Sequence, residues 1–147
     1  MGHTYSSTLV HVVFSTKDRQ PLIDERIRPE LWAYMGGIAR KHGFTALAIG
    51  GVHDHAHLLL QLPTDVSVAK AVQLIKGGSS KWAHRQVRDF AWQQGFGSFS
   101  IGVAQLQTTV SYIRDQERHH RKIGYMQEFI AFLEKHRIEY DERHLWD

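Results

Sequence analysis

The sequence contains no cysteine, which closes off both a disulfide framework and any thiolate metal site. A metal would have to be held by His, Asp, Glu or Gln. Such donors favour a hard or borderline divalent ion, magnesium or manganese, over a structural zinc. No apolar run reaches membrane-spanning length, and Met1–Thr16 lacks a signal-peptide pattern. The expectation is a soluble, cytoplasmic protein with no membrane partner. Internal repeats, low-complexity tracts and linker-like stretches are missing too. The 147 residues are therefore expected to form one domain, 1–147, long enough for a real core.

What is present is a modest basic excess, a formal charge of +3, and 11 histidines. That balance permits a nucleic-acid partner without requiring one.

Along the chain, Thr8–Ser15 is rich in β-branched and aromatic residues and reads as a first strand. Asp24 is placed to cap a helix running through Leu31, Trp32, Met35 and Ile38 to about His42, where Gly43 stops it. Phe44–Val52 reads as a second strand and His55–Leu62 as a third, ended by Pro63. Ser67 begins a long helix to about Arg88, with Val68, Val72, Ile75, Ser79 and Trp82 on one face. Phe99–Val103 is a short fourth strand, followed by helices over Gln105–Arg121 and Met126–His136. The order predicts an α+β, ferredoxin-like (βαββαβ) antiparallel sheet with helices on one face, plus C-terminal helices.

Two motifs stand out. In His53-Asp54-His55-Ala56-His57, strand alternation puts His55 and His57 on one face, with Ala56, Leu58 and Leu60 on the other. Residues two apart lie about 7 Å from each other, so the two imidazoles can converge on one ion. The leucine face would pack on the helices and aim the histidines outward into a cleft. Asp54 can orient a ligand or only cap the turn. The same alternation also marks the wet face of any half-buried strand.

The second motif is Tyr112-Ile113-Arg114-Asp115-Gln116. Val103, Leu106, Val110 and Ile113 form the apolar stripe of this helix. Tyr112 lies roughly 140° from the stripe's centre, beside Gln116 one turn on, with His119 and His120 continuing that side. A phenol, with a pKa of about 10, attacks a phosphodiester only where a cation polarises the phosphate and steadies the leaving oxygen. A tyrosine on the surface with a solvated glutamine is the alternative reading.

At these residues the chain resembles the small single-tyrosine transposases of bacterial insertion sequences, of the HUH endonuclease superfamily and the insertion sequence 200/605 type. His55-Ala56-His57 fits the histidine–hydrophobic–histidine motif, and Tyr112-x-x-x-Gln116 fits the nucleophile helix. Similarity extends to His11–Lys17, Ile75–Trp82 and Ile138–Trp146. Phe90–Ser100 resembles the branch associated with repetitive extragenic palindromes. His53 departs from the pattern, where a hydrophobic residue or methionine is commoner.

The resemblance implies a transposase that cleaves and rejoins single-stranded DNA at hairpin-bearing ends. Tyr112 would form a 5′-phosphotyrosine, with Mg2+ or Mn2+ held by His55, His57 and Gln116. It also implies a homodimer joined through sheet edges, in which one subunit's tyrosine helix often completes the other's metal site. Two other readings are a non-catalytic single-stranded nucleic-acid binder on the same fold, and a metallohydrolase that activates water.

Lys17, Arg19, Lys76, Ser79, Lys81, Arg118, Arg121 and Lys122 are candidate DNA contacts. Gly77-Gly78 interrupts the long helix, either for approach of a DNA backbone or for tight packing. Phe96, Phe99 and Trp92 suit either base stacking or the core.

Overall fold

The computed structural model describes residues 2–146. The elements are β1 (Leu9–Ser15), α1 (Arg28–Lys41), β2 (Thr45–Gly51), β3 (His55–Gln61), α2 (Val68–His84), β4 (Gly97–Ile101), α3 (Leu106–Arg114), α4 (Gln116–His119) and α5 (Tyr125–Lys135). The strands form one antiparallel sheet in the order β2-β3-β1-β4. This is the ferredoxin-like α+β arrangement expected from the order of the elements.

β1 lies inside the sheet and is buried on both faces, which is why its sequence is almost continuously apolar. Val10, Val12 and Phe14 join Ala56, Leu58 and Leu60 in a core with Leu31, Met35 and Ala39 of α1 and Ala71, Val72 and Ile75 of α2. The opposite face carries Leu9, His11, Val13, His55, His57 and Leu59. The C-terminal helices cover it through Ile113 of α3 and Tyr125, Phe129 and Leu133 of α5. Val12, Val13, Phe14, Leu58, Leu59 and Leu60 are all fully buried. Each contributes about 1.5–3 kcal/mol of transfer free energy, so register is strongly specified on both faces.

Local signals mark the helix starts. The Asp24 carboxylate accepts from the Arg26 and Ile27 amides just before α1, and Ser67 Oγ accepts from the Lys70 amide at 3.0 Å to open α2. Gly78 is a packing glycine: a Cβ there would sit 2.7 Å from Ile38 Cδ1 of α1, whereas Gly77 faces open space.

Four boundaries differ from expectation. Asp24 orders the turn ahead of α1 but does not cap it, since the helix starts at Arg28 with Ile27 at its N-cap. α2 stops at His84, four residues short, and β4 begins at Gly97. The helix foreseen over Gln105–Arg121 breaks at Asp115 (φ −100°, ψ 23°) into α3 and α4. Val103, expected on its apolar stripe, lies in a 3-10 turn and is 72% exposed.

Candidate active site

His55 and His57 project from β3 onto the face covered by the C-terminal helices, and both are fully buried. The open cleft expected around them is absent. α5 closes over this face because Tyr125, Phe129 and Leu133 bury against Val13 and Phe99.

Each ring is held at its Nδ1. Thr16 fixes the β2–β3 turn by donating its amide (2.8 Å) and hydroxyl (3.2 Å) to the Asp54 carbonyl. The Asp54 carboxylate then accepts from His55 Nδ1 at 2.8 Å. His57 Nδ1 lies 2.8 Å from His11 Nε2 on β1, and His120, just after α4, has its Nδ1 2.8 Å from the Ile123 carbonyl. The three Nε2 atoms turn inward on the Glu128 carboxylate of α5. His57 Nε2 is 2.8 Å and His55 Nε2 3.4 Å from Oε1, while His120 Nε2 is 3.0 Å from Oε2. The ligand atoms of His55, His57, His120 and Glu128 all lie within 4.8 Å of one another, a buried His/Glu cluster suited to a metal ion.

Gln116 joins this centre: it is 1% exposed, with Oε1 3.3 Å from His55 Nε2 and its amide donating to the Tyr112 carbonyl at 3.1 Å. α3 lays Leu106, Val110 and Ile113 against Leu9, Ala48 and Leu59. Tyr112 is off that stripe yet partly buried, because Phe132 of α5 packs 5.9 Å from its ring. The phenol donates to Glu128 Oε2, and His119 Nε2 lies 3.0 Å from Tyr112 Oη.

Burial dominates the electrostatics. It pushes His57 down to about 4 and His11 to about 3, in each case against an opposing pull from Glu128. Burial also opposes charge on His55, but its bonds to Asp54 and Glu128 prevail and raise it. For Glu128, burial is outweighed by the bonds to His120, His55 and His57, and the carboxyl is held well below its usual range. Burial, then the adjacent Glu128 charge, push the Tyr112 phenol up, so it needs help to ionise.

His53 is outside the cluster, 60% exposed and 3.9 Å from Asp54. The basic residues divide. Lys76 donates to the Gln93 and Gly95 carbonyls at 2.6 and 2.8 Å, and Ser79, fully buried, accepts from Trp92 Nε1 at 3.0 Å. These two and exposed Lys81 lie on α2, across the sheet from the histidines. Arg19 lies 5.9 Å over the Trp146 ring, and Lys17 is exposed. Arg118 and Lys122 line a cavity of about 330 Å³ onto which Tyr112 opens, with Thr108, Ser111, Asp115 and His119. Arg118 also reaches a second cavity, of about 340 Å³, with Arg28, Arg114 and Arg121. Phe99 and Trp92 are core residues, and Phe96 is partly exposed.

Sequence reading passed over His11 and Glu128 and named His120 only as a neighbour of the tyrosine side. A signal existed for each of the first two. His11 interrupts an apolar strand, and Glu128 falls among Tyr125, Phe129 and Phe132 on the apolar side of α5.

Residues 4–116 match the family described as transposase, IS200 like. Among solved structures, a candidate transposase from Deinococcus radiodurans R1 superposes with a TM-score of 0.64 at 19% identity, over 78% of this chain and 97% of that one. A REP-associated tyrosine transposase bound to a REP hairpin superposes with a TM-score of 0.58 at 17% identity, over 77% and 68%. No protein of curated function matches the chain. Both structural likenesses bear on the fold, whereas the family match spans most of the chain, including the histidine strand and the tyrosine helix: the protein belongs to the IS200-like transposase family.

Proposed function

We propose that the protein is a single-strand-specific DNA endonuclease and strand transferase that works through a covalent 5′-phosphotyrosine at hairpin-bearing DNA ends. One observation carries this reading. Tyr112 and Gln116, from the helices after the sheet, meet His55 and His57 of β3 in one buried centre. His55, His57 and Gln116 would hold Mg2+ or Mn2+, and a bound divalent ion would polarise the phosphate and stabilise the leaving 3′-oxygen.

The chain's own groups supply the rest. The Glu128 carboxylate orients the Tyr112 phenol, and His119 Nε2, 3.0 Å from the phenol oxygen, is placed to take its proton as that oxygen attacks phosphorus. The P–O3′ bond then breaks, the leaving oxygen takes up the proton removed from the phenol to become a free 3′-hydroxyl, and the 5′-phosphate stays on Tyr112. Attack by another strand's 3′-hydroxyl reverses the step and returns the phenol, so rejoining needs no external energy source. The cavity beside Tyr112 offers the DNA backbone an approach, with Arg118 and Lys122 to meet phosphate.

The test uses labelled single-stranded hairpin DNA with Mn2+. Wild-type protein should yield a protein–DNA adduct that survives denaturation, and Tyr112→Phe should yield none. Adduct formation by Tyr112→Phe would overturn the nucleophile. Cleavage without an adduct would indicate the hydrolase, and binding alone a groove reader.

A further inference from the structure

We infer that His120 and Glu128 are also ligands of the ion, so that three imidazole nitrogens, one carboxylate and the Gln116 amide oxygen surround it. The inference rests on reading this centre as a metal site, and it concerns residues beyond the 4–116 span that the family match covers.

The first argument is the direction of the hydrogen bonds. His55 Nδ1 faces the Asp54 carboxylate and His120 Nδ1 faces the Ile123 carbonyl, both of which accept when Asp54 is ionised. In a neutral ring the Nδ1 then carries the proton, and Nε2 presents a bare lone pair. Yet His55 Nε2 and His120 Nε2 point at each other across 2.9 Å. Two lone pairs at that separation repel unless a proton or a metal cation lies between or beside them, and only the metal can be shared with His57 and Glu128 as well.

The second argument is charge. Glu128 is 2% exposed, and its ion-pair partners among the described residues are histidines alone, with no Lys or Arg. A buried carboxylate without a permanent cation is costly, and a divalent ion at the converging nitrogens compensates it directly.

Distances are close to those a bound ion needs. With bonds of about 2.1 Å, donors on one ion stand about 3–4 Å apart. The four donor atoms of His55, His57, His120 and Glu128 lie within 4.8 Å of one another, with His57 and Glu128 at 2.8 Å and His55 and Glu128 at 3.4 Å, so small ring shifts bring them onto one ion. The rings are also pre-aimed, by Asp54, His11 and the Ile123 carbonyl.

Two consequences follow. A set with three nitrogens prefers Mn2+, Co2+ or Zn2+ over Mg2+. Ligands on β3, after α4 and on α5 also make the ion a tie between the sheet and its C-terminal cover.

Metal-stripped full-length protein is titrated with Mn2+, Co2+ and Mg2+ by calorimetry. Mn2+-loaded wild type is then read by pulsed electron paramagnetic resonance for imidazole nitrogens coupled to the ion. One ion per chain, Mn2+ and Co2+ binding at least about tenfold tighter than Mg2+, and three coupled imidazoles are expected. His120→Ala and Glu128→Gln should each weaken Mn2+ binding by tenfold or more. Two coupled imidazoles in wild type, or unchanged affinity in both variants while His57→Ala loses it, would overturn the added ligands and leave the centre intact. Wild-type affinity in His57→Ala, or no binding by wild type, would remove the metal centre itself. The wild-type spectrum decides the ligand count even if a variant folds poorly.

Discussion

Gly50 of β2 runs directly beneath the backbone carbonyl of Ile113 on α3, with no space for a Cβ between them. This contact sets how closely the helix carrying Tyr112 can lie on the sheet. Gly50 pairs with His57 across the ladder, so it also joins the tyrosine helix to the histidine strand.

Gly50→Ala should therefore lift α3 and destabilise the protein by about 1–3 kcal/mol, the usual cost of overpacking. Adduct formation should fall further than stability alone explains. Gly77→Ala, in open space on α2, should be neutral or stabilising by up to about 1 kcal/mol. Thermal melting of both variants beside an adduct assay checks the contrast; equal melting temperatures would contradict the contact.

His11 is not itself a proposed ligand but holds the ligand His57 by its Nδ1. His11→Phe keeps a ring in the site and removes that bond. Mn2+ affinity should drop about 10–100-fold, the range typical of lost outer partners of metal-bound histidine. Calorimetry measures it, and unchanged affinity would show that packing alone orients His57.

Arg118 and Lys122 border the cavity at Tyr112, whereas Lys76 is engaged with backbone carbonyls across the sheet. Arg118→Ala and Lys122→Ala should weaken single-stranded DNA binding whatever its sequence. Each lost phosphate contact should lower the slope of log affinity against log salt by about 0.7. Lys76→Ala should leave that slope unchanged and lower the melting temperature. The reverse pattern would move the DNA to the α2 side.

In metal-free protein, acid should destabilise the fold before the carboxylates titrate. His57 and His11 are held at about 4 and about 3 by burial, below about 6.5 for a free imidazole. The unfolded chain then takes up protons first. Their stabilising effect is whole above about pH 6.5 and is lost as pH falls toward those values, a loss on the order of a few kcal/mol. Glu128 and Asp54, both held low, add to the loss at lower pH, while the raised His55 opposes it. Denaturant melts between pH 7 and 4 test this; stability that rises with acidification would contradict it.

Most of the sheet was readable because its strands are short apolar runs bounded by turn residues, and Ser67 marked the start of α2. His55, His57, Tyr112 and Gln116 were readable because alternation and helical phase fix which side chains share a face. Glu128 was not, since nothing local says that an acidic residue on an apolar helix face has a partner 71 residues earlier in the chain. The same holds for the break at Asp115: no proline or glycine announces it, and only packing on the sheet shows why Gln116 must turn inward.

Local sequence by itself determined the order of the elements, the faces of β3 and α3, and the residue types able to attack a phosphate or hold a cation. The tertiary structure alone decided that α5 closes over the histidines, that His11 aims His57, and that His120 and Glu128 complete the ring of donors. Periodicity is a property of consecutive residues, whereas a buried polar centre is built from groups far apart in the chain, brought together by burial of the apolar residues around them.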